Sequence, residues 1–296
     1  MKFGPGLRTR LSELARSRRF ELASLPSAGV VATAPEPTLM APPALESFDV
    51  LRTVRVEPDR VGVEAFLPGG EWRDSDGAVF VHERLRSEIE RARPNWARLE
   101  EPPEHEVGLL AVHALGLARV LFLDLETGGL GSSPVFLAGT MHWNGEDFVL
   151  RQYFARHYGE EAALLRALAG TLAAFDAIVT FNGKSYDVPF LRDRARLHRV
   201  PISFPADHLD LLHPARRRWR DVLPDCRLQT LELAICRRRR VGDVPGDEVP
   251  GLYHDYVRHG DPYRLVPVFH HNLLDVITMA EILRALCAPE RESPDR

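Results

Sequence analysis

Cysteine is scarce in this chain of 296 residues: Cys226, Cys236 and Cys287 are an odd count with no C-x-x-C spacing. That excludes a disulfide framework and a cysteine zinc site, and it makes the cytoplasm the expected compartment. Long apolar runs are also missing. No stretch approaches the roughly 18 apolar residues of a membrane span, so no membrane association is expected. The opening MKFGPGLRTRLSELARSRRF is basic but has no apolar run behind it, which argues against a secretory leader. A global positive charge is absent too. The formal net charge is −4, which excludes a protein that binds polyanions through bulk charge alone. What remains is an ordinary globular composition, 45% hydrophobic and 27% charged, in a chain long enough to bury a real core.

The charge that is present is unevenly placed. Residues 191–240 hold 13 arginines against six acids, so this stretch is near +7 and the remainder near −11. Arg216, Arg217, Arg218 and Arg220 form its densest part together with Arg237–Arg240. Such a stretch is either a solvated helix surface or a set of cations for phosphates. Arg216 and Arg217 are the candidates for phosphate contact, and Arg237–Arg240 suit a helix C-terminus.

Pattern divides the chain into segments. Residues 1–44 read as a short basic helix followed by an Ala/Pro-rich linker. Residues 45–117 read as a small α+β extension of unassigned role, with hairpin-like strands and a helix near 84–98. Residues 118–288 carry a clean alternation of elements, and 289–296 are a tail. Within 118–288, ARVLFLDLE, VFLAGTMHW and DFVLRQYF are strands, the last two joined by the NGED turn. Helices and short strands then alternate, closing with the long helix of HHNLLDVITMAEIL. Three antiparallel strands followed by parallel ones predict an α/β mixed sheet with helices on both faces.

Four acids stand out in three settings: Asp124 and Glu126 in VLFLDLETGGL, Asp187 in TFNGKSYDVPFL, and Asp275 in HHNLLDVITMAEIL. On a strand, side chains alternate, so Asp124 and Glu126 share a face. Paired carboxylates there can share divalent cations, whose hard character favours oxygen ligands. Asp187 stands where a helix begins, a position that also suits a simple N-cap. Lys184 beside it can touch a phosphate or simply be solvated. His271 precedes Asp275 by four residues and shares its helix face; His270 precedes it by five and can serve only if the helix begins after it. A histidine beside a metal-bound carboxylate is a natural general base for water. Asp210 in HLDLL can assist the site or serve as a strand-end structural acid, and the structural role is the expected one.

This ordered set resembles the DEDD superfamily of 3′–5′ exonucleases on the ribonuclease H-like fold. Asp124 and Glu126 match its first motif, Asp187 its second and Asp275 its third. More narrowly, FLDLETGGL, FNGKSYDVPFL, HLDLLHPARRRW, LQTLE, DVPGDEVPGLYHDYV and HHNLLDV are similar to the YprB-like family of predicted exonucleases. The spacing His270-x-x-x-x-Asp275 fits the histidine subgroup of the superfamily, whereas the narrower family's H-N-x-x-D points to His271. The resemblance implies a ribonuclease H-like sheet, two Mg²⁺ (or Mn²⁺) held by Asp124, Glu126, Asp187 and Asp275, and nuclease chemistry; it fixes no substrate, and 3′–5′ hydrolysis at single-stranded DNA or RNA ends is the expected activity. It also implies nucleic-acid contacts from Thr127, Gly128, Asn182 and Tyr186. Gly128 departs from the family, where many relatives have threonine. A non-catalytic binding module on the same fold and an endonuclease are the alternative functions.

Overall fold

The computed structural model describes residues 51–52, 62–90, 96, 107–131 and 133–288. The basic helix and linker expected in 1–44, and the tail 289–296, lie outside them. The described elements in chain order are β1 (Leu51–Arg52), β2 (Gly69–Asp74), β3 (Gly77–Leu85), α1 (Arg86–Ile89), α2 (Val107–Leu115), β4 (Val120–Thr127), β5 (Val135–Trp143) and β6 (Phe148–Phe154). There follow α3 (Glu161–Leu172), β7 (Ala177–Thr180), α4 (Asp187–His198), β8 (Asp207–Asp210) and α5 (Leu212–Trp219). The last are α6 (Leu228–Leu231), which runs on as a π-helical turn over Glu232–Cys236, α7 (Val249–His259) and α8 (Val266–Cys287).

The strands form one sheet of eight, in the order β1-β2-β3-β6-β5-β4-β7-β8. The β4, β5 and β6 strands pair antiparallel, while β4, β7 and β8 run parallel. This is the mixed sheet that the pattern of residues 118–288 predicts. The β2–β3 hairpin, from the segment read as an N-terminal extension, adds to the same sheet through β3 and β6. There Glu83 and Arg151 lie opposite each other and form a buried ion pair at 2.7 Å. Of the helix expected over 84–98, the described residues show an α-helix at Arg86–Ile89 and a 3-10 conformation at Trp96.

Alternation along β4 decides where the acids go. Val120 and Phe122 join one core, with Val276, Ile277, Met279 and Ala280 of α8. Leu121 and Leu123 join the opposite core, with Leu164, Leu168 and Leu191 of α3 and α4. With a period of two residues, Asp124 and Glu126 continue the row of Val120 and Phe122 and so face α8. The α8 helix is buried on nearly every side from Val268 to Leu283, as expected of a helix covered by a sheet above and other helices below. No helix among the described residues is long and apolar enough to cross a membrane.

Candidate active site

Pairing between β4 and β7 ends at Phe122 and Val179. Beyond it β7 turns away into the loop of residues 181–186, and β4 runs on beside β5 alone. Asp124 and Glu126 therefore stand at the carboxyl end of a parallel pair, where the sheet switches to antiparallel. Clefts in α/β sheets form at such points.

Asp124 lies opposite Gly139 of β5. A side chain on Gly139 would meet Asn272 Oδ1 at 2.1 Å, so the glycine makes room for Asn272 from α8. Asn272 is fully buried and donates Nδ2–H to Asp124 Oδ2 at 2.8 Å. Its own Oδ1 accepts from Gln152 Nε2 at 2.9 Å, and the same Gln152 nitrogen donates to Phe269 O at 2.8 Å. A chain of amides thus sets the rotamer of Asp124. Asn272 is the amide of the H-N-x-x-D pattern, but the sequence gives it no role, and Gln152 lies in no motif. The glycine within the apolar run VFLAGTMHW is the one local sign of a close approach there.

Asp187 is the first residue of α4, and Tyr186 holds the cap position without a side-chain cap. The N-cap role considered for Asp187 is therefore not the one it has. Its carboxylate instead accepts the backbone N–H of Leu125 as well as its own, which ties the second motif to β4. The loop before it is held by Asp210. Asp210 Oδ1 accepts from Asn182 N at 2.7 Å and from Leu212 N at 3.1 Å, and Oδ2 accepts from Lys184 N at 3.1 Å. Asn182 takes the left-handed conformation at φ 65°, which asparagine tolerates better than most residues. Asp210 thus has the structural role read from its strand-end position.

On α8, Asp275 and His271 are both buried. His271 Nε2 is 3.5 Å from Asp275 Oδ2. Glu126, His271 and Asp275 each offer a ligand atom within 4.8 Å of the other two. His270 is already helical, since α8 begins at Val266, and it is half-buried. The condition under which it could serve is not met.

Electrostatics bind these groups into one unit. Burial, followed by the charges of Asp275, Glu126 and Asp187, pushes Asp124 well above the usual carboxylate range. Burial together with Asp275 and Asp187 raises Glu126 to about 8. Asp187 rises to about 7, chiefly by burial and then through Asp210 and Asp275. Burial pulls His271 down, but its hydrogen bond to Asp243 and the charges of Asp275 and Glu126 outweigh it, lifting it to about 9. Mutually repelling carboxylates with a buried imidazole among them are a donor set that a divalent cation fits.

Two further residues enter from the segment after α6. Arg240 forms ion pairs with Asp275 Oδ1 and with the buried Glu232. Asp243 accepts a hydrogen bond from His271 Nδ1 at 2.8 Å. The run Arg237–Arg240 is therefore more than a complement to a helix dipole. Arg238 is likewise committed, to Glu90, Glu232 and Glu281. Other arginines of the basic stretch also turn inward: Arg194 pairs with Glu161, and Arg218 donates to the carbonyls of Ala285, Leu286 and Ala288 at the end of α8. Asp275 and Ala285 are about 15 Å apart along the helix. Arg216 and Arg217 are exposed on α5 beside Arg218, away from the acids.

The turn after β4 borders the site. Thr127 Oγ1 donates to Gly129 O at 2.9 Å, and Gly128 N–H donates to Pro134 O at 2.8 Å. The Gly128 carbonyl is engaged by His254 Nε2 at 2.7 Å, and a Cβ on Gly128 would meet Pro134 and His254 at 3.0 and 3.1 Å. A side chain at Gly128 would therefore crowd Pro134 and His254. Lys184 and Tyr186 are exposed beside Asp187.

The sheet and this cluster are accompanied by a family match. A model of the RNase_H superfamily fits residues 121–287, and the chain belongs to that superfamily. Within it the chain is YprB-like: it is 32% identical over 169 residues to "Uncharacterized protein YprB" of Bacillus subtilis (strain 168), a match that covers 55% of this chain. The match spans 41% of that relative's length. Among solved structures, the family B DNA polymerase from the hyperthermophilic archaeon Pyrobaculum calidifontis aligns with a TM-score of 0.47 and 18% identity, over 56% of this chain and 24% of that one.

Proposed function

We propose that this protein is a metal-dependent nuclease that removes nucleotides from the 3′ ends of single-stranded DNA or RNA. The observation that carries the reading is the meeting of Glu126, His271 and Asp275 within 4.8 Å, with Asp124 and Asp187 close enough to share their electrostatics. The pair from β4, the acid of α4 and the pair from α8 are far from one another in the chain, and packing alone gives no reason for the three to converge. Buried like charges are costly unless a cation joins them.

Asp124, Glu126, Asp187 and Asp275 would hold two Mg²⁺ or Mn²⁺. When bound, such ions supply an activated water and neutralise the oxygens of an in-line displacement at phosphorus. The chain's own part is to place and charge the site. Asn272 aims Asp124, Leu125 N–H aims Asp187, and His271 accepts the proton of the attacking water at Nε2. With positive charge among the acids, the attraction that raises His271 is offset. That weakens its hold on a proton, so the neutral imidazole is available as a base. Thr127, Gly128, Asn182, Lys184 and Tyr186 border the cleft where a strand end would lie, and Arg216 and Arg217 would meet phosphates farther along.

Purified protein with Mg²⁺ or Mn²⁺ and a 5′-labelled single strand tests this. The expected product is a ladder that shortens from the 3′ end, abolished by a chelator. Cleavage of circular single strands would favour an endonuclease. Binding without cleavage would favour a non-catalytic module.

A further inference from the structure

The segment between α6 and α7 is not part of any of the three acidic motifs, yet it delivers two side chains into the cluster. Arg240 is held from one side by the buried Glu232 and from the other by Asp275. Three residues on, Asp243 receives Arg240 Nη1 on Oδ2 at 3.4 Å and His271 Nδ1 on Oδ1 at 2.8 Å. Both oxygens of Asp243 therefore have partners, and the carboxylate is pinned between an immobile cation and the imidazole. An imidazole has two nitrogens in fixed opposition. With Nδ1 directed to Asp243, Nε2 is directed to Asp275 and Glu126, and its 3.5 Å separation from Asp275 Oδ2 reflects this.

We propose that Asp243 is a positioning residue for His271. It engages Nδ1–H and so presents Nε2 to the acidic cluster, while Arg240 from the same segment seats Asp275. This inference rests on the nuclease reading for its catalytic consequence, though not for its geometry. The segment is then a fourth contribution to the site, placed between the second and third motifs in the chain. Partners that orient an active-site histidine commonly matter by about 10- to 100-fold in activity or metal affinity.

Two measurements on the full chain test the proposal. In metal-free protein labelled with ¹⁵N-histidine, the Nδ1–H of His271 should give a low-field proton resonance protected from exchange, absent in His271→Gln. Asp243→Ala should lose that resonance, and Asp243→Asn, which keeps an accepting oxygen, should retain it. In the nuclease assay, Asp243→Ala should lower kcat by about 10- to 100-fold with KM changed by less than about threefold, and Asp243→Asn should recover most of the loss. The proposal is overturned if Asp243→Ala keeps the resonance, or if it melts like the wild type and retains kcat within about twofold. Should Asp243→Ala not fold, the wild-type resonance decides: its presence supports the contact and its absence overturns it. An inactive wild type would instead refute the nuclease reading, while the resonance would still report on Asp243 and His271.

Discussion

Asn272 reaches Asp124 across the space that Gly139 leaves empty: its Nδ2–H lies 2.8 Å from Asp124 Oδ2, and a Cβ on Gly139 would fall 2.1 Å from its Oδ1. A glycine on β5 and an amide on α8 together decide how the first acid of the site is aimed. Gly139→Ala should therefore act on the site rather than on the strand alone. The added methyl should displace Asn272 and cost about 1–3 kcal/mol of stability, the usual range for an overpacked core. Metal affinity, read by titration calorimetry with Mn²⁺, should fall as well. A variant with unchanged melting temperature and unchanged Mn²⁺ binding would contradict this account of Asp124.

Asp124→Asn should separate stability from activity. The amide keeps an acceptor for Asn272 but removes a carboxyl that burial and the charges of Asp275, Glu126 and Asp187 hold well above its usual range. Metal-free protein near pH 8 should melt higher, by roughly 2–4 °C for each kcal/mol gained. Nuclease activity should fall by more than the about 100-fold typical of losing an outer partner. A lower melting temperature with retained activity would place Asp124 outside the site.

The pH dependence of metal-free stability follows from the same shifts. Glu126 rises from 4.5 to about 8, and Asp187 from 3.8 to about 7. The folded state thus keeps protons that the unfolded chain has released. Their stabilising contribution is complete below the unfolded values and is lost as pH rises through about 7 and 8. His271, raised from 6.5 to about 9, acts in the same direction at the upper end. Thermal melts in chelator should decline from about pH 5 to about pH 9, and added Mg²⁺ or Mn²⁺ should restore progressively more as pH increases. Metal-free melting temperatures that climb over that interval would refute the charge cluster.

Asp210→Ala tests how the loop of the second motif is held. It removes the acceptor for the backbone N–H groups of Asn182, Lys184 and Leu212. The expected loss is about 1–3 kcal/mol from unsatisfied donors, with reduced activity because Asp187 follows that loop. Asp210→Asn should also be impaired, since one of its two terminal atoms donates and cannot accept. Chemical denaturation and the 3′-end assay would read both effects; an Asn variant equal to wild type in each would refute the role.

Much of this architecture can be read in the chain. The DLE run of β4 alternates against two apolar rows, so its acids must share a face whatever lies above them. The i, i+4 relation of His271 and Asp275 likewise follows from helical geometry, once the helix is known to start ahead of His270. Less legible were the residues whose role depends on distant partners. Asn272 and Gln152 are ordinary amides until β6 and α8 are brought together. Arg240 and Asp243 sit in a run of arginines and a polar turn that local chemistry explains equally well as a solvated surface. Part of the basic stretch is hidden from local reading for the same reason. Arg194, Arg218, Arg238 and Arg240 are consumed by internal acids and carbonyls, and a count of charges does not reveal which of them find partners.

Local order therefore settles which side chains share an edge or a face, because strand and helix periods are properties of consecutive residues. It settles the superfamily as well, since the acidic motifs lie in order along that periodic frame. It does not settle which edges and faces meet. Only the packing of α8 beneath the switch point of the sheet, with the segment after α6 folded back against it, joins Asp124, Glu126, Asp187, His271 and Asp275 into one cluster. The reason is physical: burial, repulsion and hydrogen-bond direction depend on separations of a few ångströms between groups that are far apart along the backbone.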